Sequence, residues 1–220
     1  QGARPSHPDL IDDLAARFIQ NGWSLKWLHR EVMLSAAYRQ ASGPDAAKGA
    51  TDPDNRWLWR MNRRRLEVES WRDAMLAVNG TLRADLGGPP QELTDTTNRR
   101  RTLYGLIRRR DLTDLLRLHD FPDPLTHSAH RIPTTTPLQQ LFALNGPLLR
   151  QEAGLLARRL DADAPAGGAE RVRQAYALLF QRPPTDREAA LALAFVGADA
   201  AAWAHYAHVL LGSNEFLFID

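Results

Sequence analysis

The 220-residue chain contains no cysteine, and this absence excludes several chemistries at once. Without a thiol, this segment has no disulfide scaffold, no thiolate metal site, no covalent c-type haem attachment and no cysteine nucleophile. Lysine is scarce as well, since Lys26 and Lys48 are the only two. The hydrophobic fraction of 44% and charged fraction of 25% are those of an ordinary globular chain, which excludes a disordered tail or a collagen-like fibre.

The chain also lacks an uninterrupted hydrophobic run of the length that a membrane span requires. Its most apolar stretch, residues 189–212, contains Asp199, His205 and His208, which are costly to bury in lipid. We therefore predict two soluble helices there and no membrane span. The sequence starts at Gln1 without an initiator methionine or a signal peptide, so we expect it to be part of a longer polypeptide.

Arginine is what the chain has in excess, and it is unevenly distributed. Residues 56–65 contain five arginines and no acid, and residues 99–110 contain six arginines and no acid. These 22 residues carry a charge of +11, while the remaining chain carries −9, so the net charge of +2 hides a strong segregation. Any account of function has to explain how these two arginine clusters are neutralised.

Two interpretations of the arginine clusters are open. One is an anion-binding surface for an anionic polysaccharide, an acidic protein or nucleic acid, because guanidinium groups pair well with planar oxyanions. Trp57, Trp59 and Tyr104 lie between the arginines and are suited to stacking. The other is pairing inside the fold with the acidic remainder of the chain. We favour internal pairing, and nucleic acid is the least favoured partner.

Helical periodicity dominates the rest of the sequence. Val68, Trp71, Met75 and Val78 recur at three- and four-residue intervals, which predicts a helix with one core face. Helix starts with capping boxes are predicted at Thr136 and at Thr185, each followed three residues later by Gln or Glu. Residues 102–107 are the best strand candidate.

We therefore predict a mainly α fold. It is an irregular multi-helix domain with at most a small β element near residues 102–107, plus a C-terminal helical subdomain. The flexible composition of residues 161–168 predicts a linker between a helical core module, residues 1–160, and the subdomain, residues 169–220. We expect the subdomain to pack on the core module.

Glu69 and Asp73 lie one turn apart on the predicted third helix, flanked by leucines. Half-buried carboxylates there need cationic partners, which the arginines at 63–65 or 99–101 can supply. Alternatively, two like charges one turn apart raise one pKa and form a general acid/base pair. Glu69 and Asp73 are therefore candidate catalytic residues, although structural pairing is favoured.

The segment from Asp120 to Arg131, which leads into Thr134 and Thr136, is the strongest candidate site. It is a proline-braced loop that ends at a helix N-terminus, where anions can bind. Asp120 and Arg131 are further catalytic candidates, but the favoured interpretation is that they pair with each other and that Thr136 caps the helix. The candidate ligand-binding residues are Arg108, Arg131, Thr134, Thr136, Gln139 and Asn145.

Two histidine pairs have spacing that places both imidazoles on one side of a helical turn: His127 with His130, and His205 with His208. A zinc site needs three or four ligands, and neither pair belongs to a His-Glu-x-x-His motif. The sequence has no Walker loop, no dinucleotide-binding glycine motif and no serine-hydrolase motif. We expect no metal site and no cofactor in this segment.

Seven strings in order along the chain carry a family resemblance. They are SHPDLID at residues 6–12, NGWSLK at 21–26, DPDNR at 52–56, RRLE at 64–67, RTLY at 101–104, TTTPLQ at 134–139 and SNEF at 213–216. With these strings the chain resembles the C-terminal part of a planctomycete-specific domain of unknown function that accompanies planctomycete cytochrome c domains. The resemblance implies an extracytoplasmic location, periplasmic or at the cell surface, and the N-terminal remainder of the same polypeptide as a partner.

These observations lead to one functional hypothesis and one alternative. The first is a non-catalytic helical binding module of a larger extracytoplasmic, cytochrome-c-associated protein, in contact with an anionic polysaccharide or an acidic partner. The alternative is an enzyme that acts on carbohydrate, with a site near Asp120–Arg131 that residues outside this sequence complete.

Overall fold

A computed structural model describes residues 4–128, 130–165 and 167–219. Within these ranges the fold is mainly α, with eleven α-helices and one two-stranded sheet, which confirms the predicted fold class. The helices are α1 (Pro8–Gln20), α2 (Leu25–Leu34), α3 (Ala46–Thr51), α4 (Val68–Val78), α5 (Asp114–Arg117), α6 (Pro137–Asn145), α7 (Pro147–Asp163), α8 (Gly168–Phe180), α9 (Asp186–Val196), α10 (Ala202–Leu211) and α11 (Asn214–Leu217). The strands are β1 (Arg64–Arg65) and β2 (Phe218–Ile219), which pair with each other.

The chain divides into two compact units, which are described separately. The N-terminal unit comprises the residues up to Arg64, and the C-terminal unit spans Arg65–Ile219. The predicted boundary at residues 161–168 is not where this division falls. Half of that segment is helical, since α7 extends to Asp163 and α8 begins at Gly168.

The C-terminal unit has a continuous hydrophobic core. The long helix α7 packs along α10 and also contacts α8 and α4. It contributes Leu149, Ala153, Leu156 and Leu160, whose spacing of three and four residues places them on one face of the helix. The stretch 189–212 is split between α9 and α10, as predicted, and no helix among the described residues is long and apolar enough to cross a membrane.

The strand interpretation of residues 102–107 is corrected. Thr102–Tyr104 form one turn of 3-10 helix, and the β character nearby consists of two isolated bridges, Arg83–Arg100 and Gln91–Gly105. The cause is local hydrogen bonding: the Gly105 amide donates to the Thr102 carbonyl at 2.8 Å, which winds the backbone. A short apolar run cannot by itself distinguish these outcomes.

The N-terminal unit has helices without a core. None of α1, α2 and α3 contains a buried residue. In the loop after α3, the buried Asp52 carboxylate accepts hydrogen bonds from the backbone amides of Arg56 at 2.9 Å and Trp57 at 2.8 Å. The apolar side chains of α1 and α2 therefore remain largely exposed to solvent.

Candidate functional site

Helix α4 forms one wall of the candidate site, and its core face is the predicted one. Val68, Trp71 and Met75 are buried. Arg72 is also buried, which the sequence analysis missed; its guanidinium donates to the carbonyl of Asn98 at 2.6 Å and to that of Arg100 at 3.0 Å. A signal was present, since Arg72 lies four residues after Val68 and three before Met75, on the same stripe.

Glu69 is held by Arg131 rather than by the arginines at 63–65 or 99–101. Arg131 donates from Nη1 to Oε2 at 2.6 Å and from Nη2 to Oε1 at 2.7 Å, and it also reaches Glu67 at 3.2 Å. Burial raises the pKa of Glu69, but hydrogen bonds from Arg131 and the backbone outweigh it and leave the pKa below its ordinary value. A carboxylate held ionised in this way is a poor general acid.

Asp73 is engaged with the arginine-rich segment. Its Oδ1 accepts hydrogen bonds from the backbone amide and the hydroxyl of Thr102, both at 2.7 Å. Its Oδ2 lies 3.6 Å from Nε of Arg101. Asp73 thus has the partner that was predicted from residues 99–101. The two carboxylates of α4 therefore pair with different arginines.

The expected ion pair between Asp120 and Arg131 does not form. Asp120 instead accepts hydrogen bonds from the backbone amide of Thr134 at 2.8 Å and from its hydroxyl at 2.6 Å. Arg131 instead pairs with Glu67 and Glu69 at the N-terminus of α4. Glu69 is the better partner, because both of its carboxylate oxygens accept from the forked guanidinium. Asp120 therefore braces its own loop.

The capping box predicted at the start of α6 is confirmed. Thr136 and Gln139 exchange hydrogen bonds, and the buried Gln139 side chain also donates to the Leu118 carbonyl at 2.8 Å. Arg65 donates to Gln139 and to the Thr134 carbonyl. Thr134, Thr136 and Gln139, which were candidate ligand-binding residues, thus use these polar groups within the fold.

The other two ligand-binding candidates lie elsewhere. Arg108 forms an ion pair with Glu92, and Asn145 ends α6, where its carbonyl accepts a hydrogen bond from Arg150 at 3.3 Å. None of these contacts involves the 120–136 loop. The structure therefore brings Arg131 to Glu69 and joins Asp120, Thr134, Thr136 and Gln139 in one hydrogen-bonded cluster. Arg108 and Asn145 lie outside that cluster.

A buried histidine, which the sequence analysis missed, lies beneath this loop. The His119 ring stacks on Trp71 with centroids 4.8 Å apart and meets Phe142 edge-on at 5.1 Å. Its Nδ1 lies 2.9 Å from the Leu115 carbonyl, which requires Nδ1 to carry the proton of the neutral ring. Burial lowers the pKa of His119 to about 4. Its Nε2 is buried with no hydrogen-bond partner among the described residues.

Half of the arginines in the cluster at 99–110 are neutralised inside the fold. Three of its members form ion pairs with carboxylates: Arg99 with Glu152, Arg101 with Asp73 and Arg108 with Glu92. Arg100 donates to the Pro89 carbonyl at 3.0 Å and lies over the Tyr104 ring. Arg109 and Arg110 are exposed and form no ion pair with any residue that the structure describes.

The cluster at 56–65 is less well compensated. Within the N-terminal unit, Arg60 lies over the Trp59 ring at 4.8 Å, and Arg56 and Arg64 are exposed. Arg56, Arg60 and Arg64 form no ion pair in the described part of the chain. Internal pairing, the favoured interpretation, therefore holds for three of the six arginines in the second cluster, and both clusters keep uncompensated cations at the surface.

The histidine pairs do not lie in a ligand set. His127 and His130 are exposed, and His208 makes a 2.8 Å contact from Nε2 to the Ala143 carbonyl. Across residues 4–128, 130–165 and 167–219, no group of three or more histidine or carboxylate side chains is arranged to hold a metal ion.

Concave surfaces occur in both units. In the C-terminal unit, a cleft of about 390 Å³ lies between α4 and the 101–107 segment, and its lining extends from Glu69 to Phe121. In the N-terminal unit, α1, α2 and the 55–64 segment line two grooves of about 860 Å³ and 550 Å³. Both grooves share four lining residues, Leu14, Val32, Tyr38 and Arg64, and we refer to them together as the α1–α2 groove.

Comparison with known proteins gives one match. No curated protein and no solved structure matches the chain. Residues 1–196 match the family PSD1, described as "Protein of unknown function (DUF1553)". Since the match covers most of its length, the chain belongs to the DUF1553 (PSD1) family.

Proposed function

We propose that this chain is a non-catalytic interaction module whose α1–α2 groove binds an acidic, amphipathic segment of a protein partner. The observation that carries this proposal is the pair of helices α1 and α2, which are amphipathic and yet bury no residue. Amphipathic helices normally cover their apolar stripe by packing, and a contiguous exposed apolar surface marks an interaction site.

The apolar surface of this groove is substantial. Leu10, Ile11 and Met33 are each about half exposed, and Val32 and Tyr38 are exposed beside them. Each of these five residues lines at least one of the two grooves. Apolar side chains in a concave surface between two helices are suited to the helix-in-groove mode of peptide recognition.

The charges around the groove favour an acidic partner. Arg60 and Arg64 line it without forming an ion pair in the described part of the chain. The one carboxylate in its lining, Glu31, is already paired with Arg17. A segment with apolar side chains on one face and carboxylates at its edges therefore complements both the shape and the charge of the groove.

The cellular setting belongs to the same proposal. The seven sequence strings support a location outside the cytoplasm, in a larger polypeptide that also carries a cytochrome c domain. In that setting, the acidic segment is provided by the N-terminal remainder of the polypeptide or by a separate protein. An anionic polysaccharide is the competing partner, because Arg109 and Arg110 present unpaired cations on the C-terminal unit.

The carbohydrate-acting enzyme is the less well supported alternative. Its four candidate catalytic residues are held by internal bonds, with Glu69 on Arg131, Asp73 on Thr102 and Asp120 on Thr134. A general acid needs a pKa near the working pH, whereas the pKa of Glu69 is lowered. These contacts favour a structural role for the four residues.

The proposal is tested by titrating the full chain with defined peptides and reading fluorescence anisotropy. The probe is a labelled amphipathic peptide of roughly 16 residues with leucines on one face and glutamates on the other. A lysine version and a scrambled glutamate version are its controls. We expect saturable binding of the glutamate peptide alone, weakened by salt because Arg60 and Arg64 contribute through charge.

Two variants locate the site. Val32→Glu, in the groove, should weaken binding at least about tenfold, while Leu191→Glu, at an exposed apolar position in α9, should not change it. Equal binding of the scrambled peptide would contradict the proposal. So would concentration-dependent self-association that Val32→Glu abolishes, which would assign the groove to a second copy. Binding of a sulfated polysaccharide in place of the peptide would favour the competing partner.

A further inference from the structure

We propose that the cleft between α4 and the 101–107 segment is a binding site for an uncharged, polyhydroxylated ring, such as a single sugar residue. This site is in the C-terminal unit and does not depend on the α1–α2 groove. Its volume of about 390 Å³ lies within the range of small-ligand pockets, which is about 300–1,000 Å³.

The floor of the cleft is apolar. Leu93 and Leu116 are buried beneath it, and Ile107 and Phe121 are partly buried at its sides. Phe121 already carries the Arg131 guanidinium over its ring at 5.2 Å, so this aromatic side chain is fixed in position. A floor of this kind suits the C–H face of a sugar ring better than it suits a small inorganic ion.

The polar groups of the cleft have unused hydrogen-bonding capacity. Oδ1 of Asp73 is satisfied by Thr102, but Oδ2 lies 3.6 Å from Arg101, which is beyond hydrogen-bond distance, and can accept from a ligand hydroxyl. The Arg101 side chain is half exposed and can donate. The exposed Ser70 hydroxyl has no side-chain partner among the described residues.

An acceptor, a donor and a hydroxyl around one apolar floor match a ligand whose groups both donate and accept. The charges are also balanced, since Arg101 lies beside Asp73 and Arg131 binds Glu69. A charged ligand would therefore lose its hydration in the cleft without gaining much net electrostatic attraction. A neutral ligand does not have this cost. For these reasons the cleft is assigned to an uncharged polyol rather than to an amine or an acid.

The experiment follows backbone amide signals of the isotope-labelled full chain during titration with methyl glucoside, methyl galactoside, methyl mannoside and N-acetylglucosamine. We expect at least one of them to shift the amides of Ser70, Thr102 and Gly105 saturably, with a Kd on the order of millimolar. Glucosamine and glucuronate, which add one charge of either sign, should bind at least about fivefold more weakly.

Two variants and one control make the site specific. Ser70→Trp fills the cleft from an exposed position of α4 and should abolish the shifts, while Arg101→Gln should weaken binding several-fold. Arg109→Gln removes an unpaired arginine of the same cluster outside the cleft and should leave binding unchanged. The proposal is overturned by the absence of a saturable shift with every neutral sugar up to roughly 50 mM. It is also overturned by binding that both cleft variants retain, or by tighter binding of a charged analogue.

Discussion

Arg131 binds Glu69 through two parallel hydrogen bonds, of 2.6 Å and 2.7 Å, across 62 residues of chain. Both side chains are about a quarter exposed, so the pair is partly withdrawn from water. Because a fork-shaped donor meets both carboxylate oxygens, the contact fixes the loop that carries Arg131 against the N-terminus of α4. The loop is thereby anchored as part of the fold and not as a free catalytic arm.

Loss of this pair should destabilise the chain measurably. Arg131→Gln leaves Glu69 half-buried without its charged partner, and the free energy of unfolding should fall by about 1–3 kcal/mol. Urea unfolding followed by circular dichroism measures the change. Arg117→Gln is the control: it breaks an exposed pair with Asp114 and should cost less than about 1 kcal/mol. Equal effects of the two substitutions would contradict the structural role of Arg131.

Glu152 should be more important still, because it is buried. Its carboxylate accepts from Arg99 at 2.6 Å and from the side-chain amide of Asn79. Glu152→Gln leaves the partly buried Arg99 guanidinium without a counter-charge, so we expect a loss of about 3 kcal/mol. The double variant Arg99→Met/Glu152→Met removes both charges. Its loss of stability should be smaller than the sum of the losses in Arg99→Met and Glu152→Met alone. Additive losses in urea unfolding would show that the two residues do not interact.

His119 should make stability depend on pH. Its pKa of about 4 in the fold is well below the ordinary value near 6.5, so between these values the unfolded chain binds the proton and the folded chain does not. The free energy of unfolding should therefore fall as the pH is lowered from about 6.5 to 4, by up to about 3 kcal/mol from this residue.

The variant His119→Gln isolates that contribution. It should be less stable than the wild type at pH 7, but the difference should shrink as the pH approaches 4. His205→Gln, at an exposed position of α10, is the control for replacing a histidine outside the Trp71 stack. If the difference between His119→Gln and the wild type stays constant from pH 7 to 4, His119 is not neutral in the fold.

Local signals in the sequence predicted much of the fold. The α4 stripe, the capping boxes at Thr136 and Thr185, and the division of residues 189–212 into two helices were all readable. Each of these features depends on residues within four positions of one another, where helix geometry determines which side chains meet. Distant segments contribute little to such features.

The sequence did not predict the partners within the site, because those depend on packing between distant segments. The Asp120–Arg131 pair was expected from proximity along the chain, yet Arg131 reaches the N-terminus of α4 instead. Arg72 and Glu152 were overlooked because charged residues are normally placed at the surface. Both lie on the apolar stripe of their helix, and that position was the signal for their burial.

Exchanging the charges of the α1–α2 groove and of the peptide shows whether the groove binds an acidic amphipathic segment. The measurement is the Kd of the wild type and of the Arg60→Glu/Arg64→Glu variant for the glutamate peptide and for its lysine version. We predict that the wild type prefers the glutamate peptide and that the variant prefers the lysine peptide, each by at least about fivefold. If the variant and the wild type show the same preference, or neither binds either peptide, the account is contradicted.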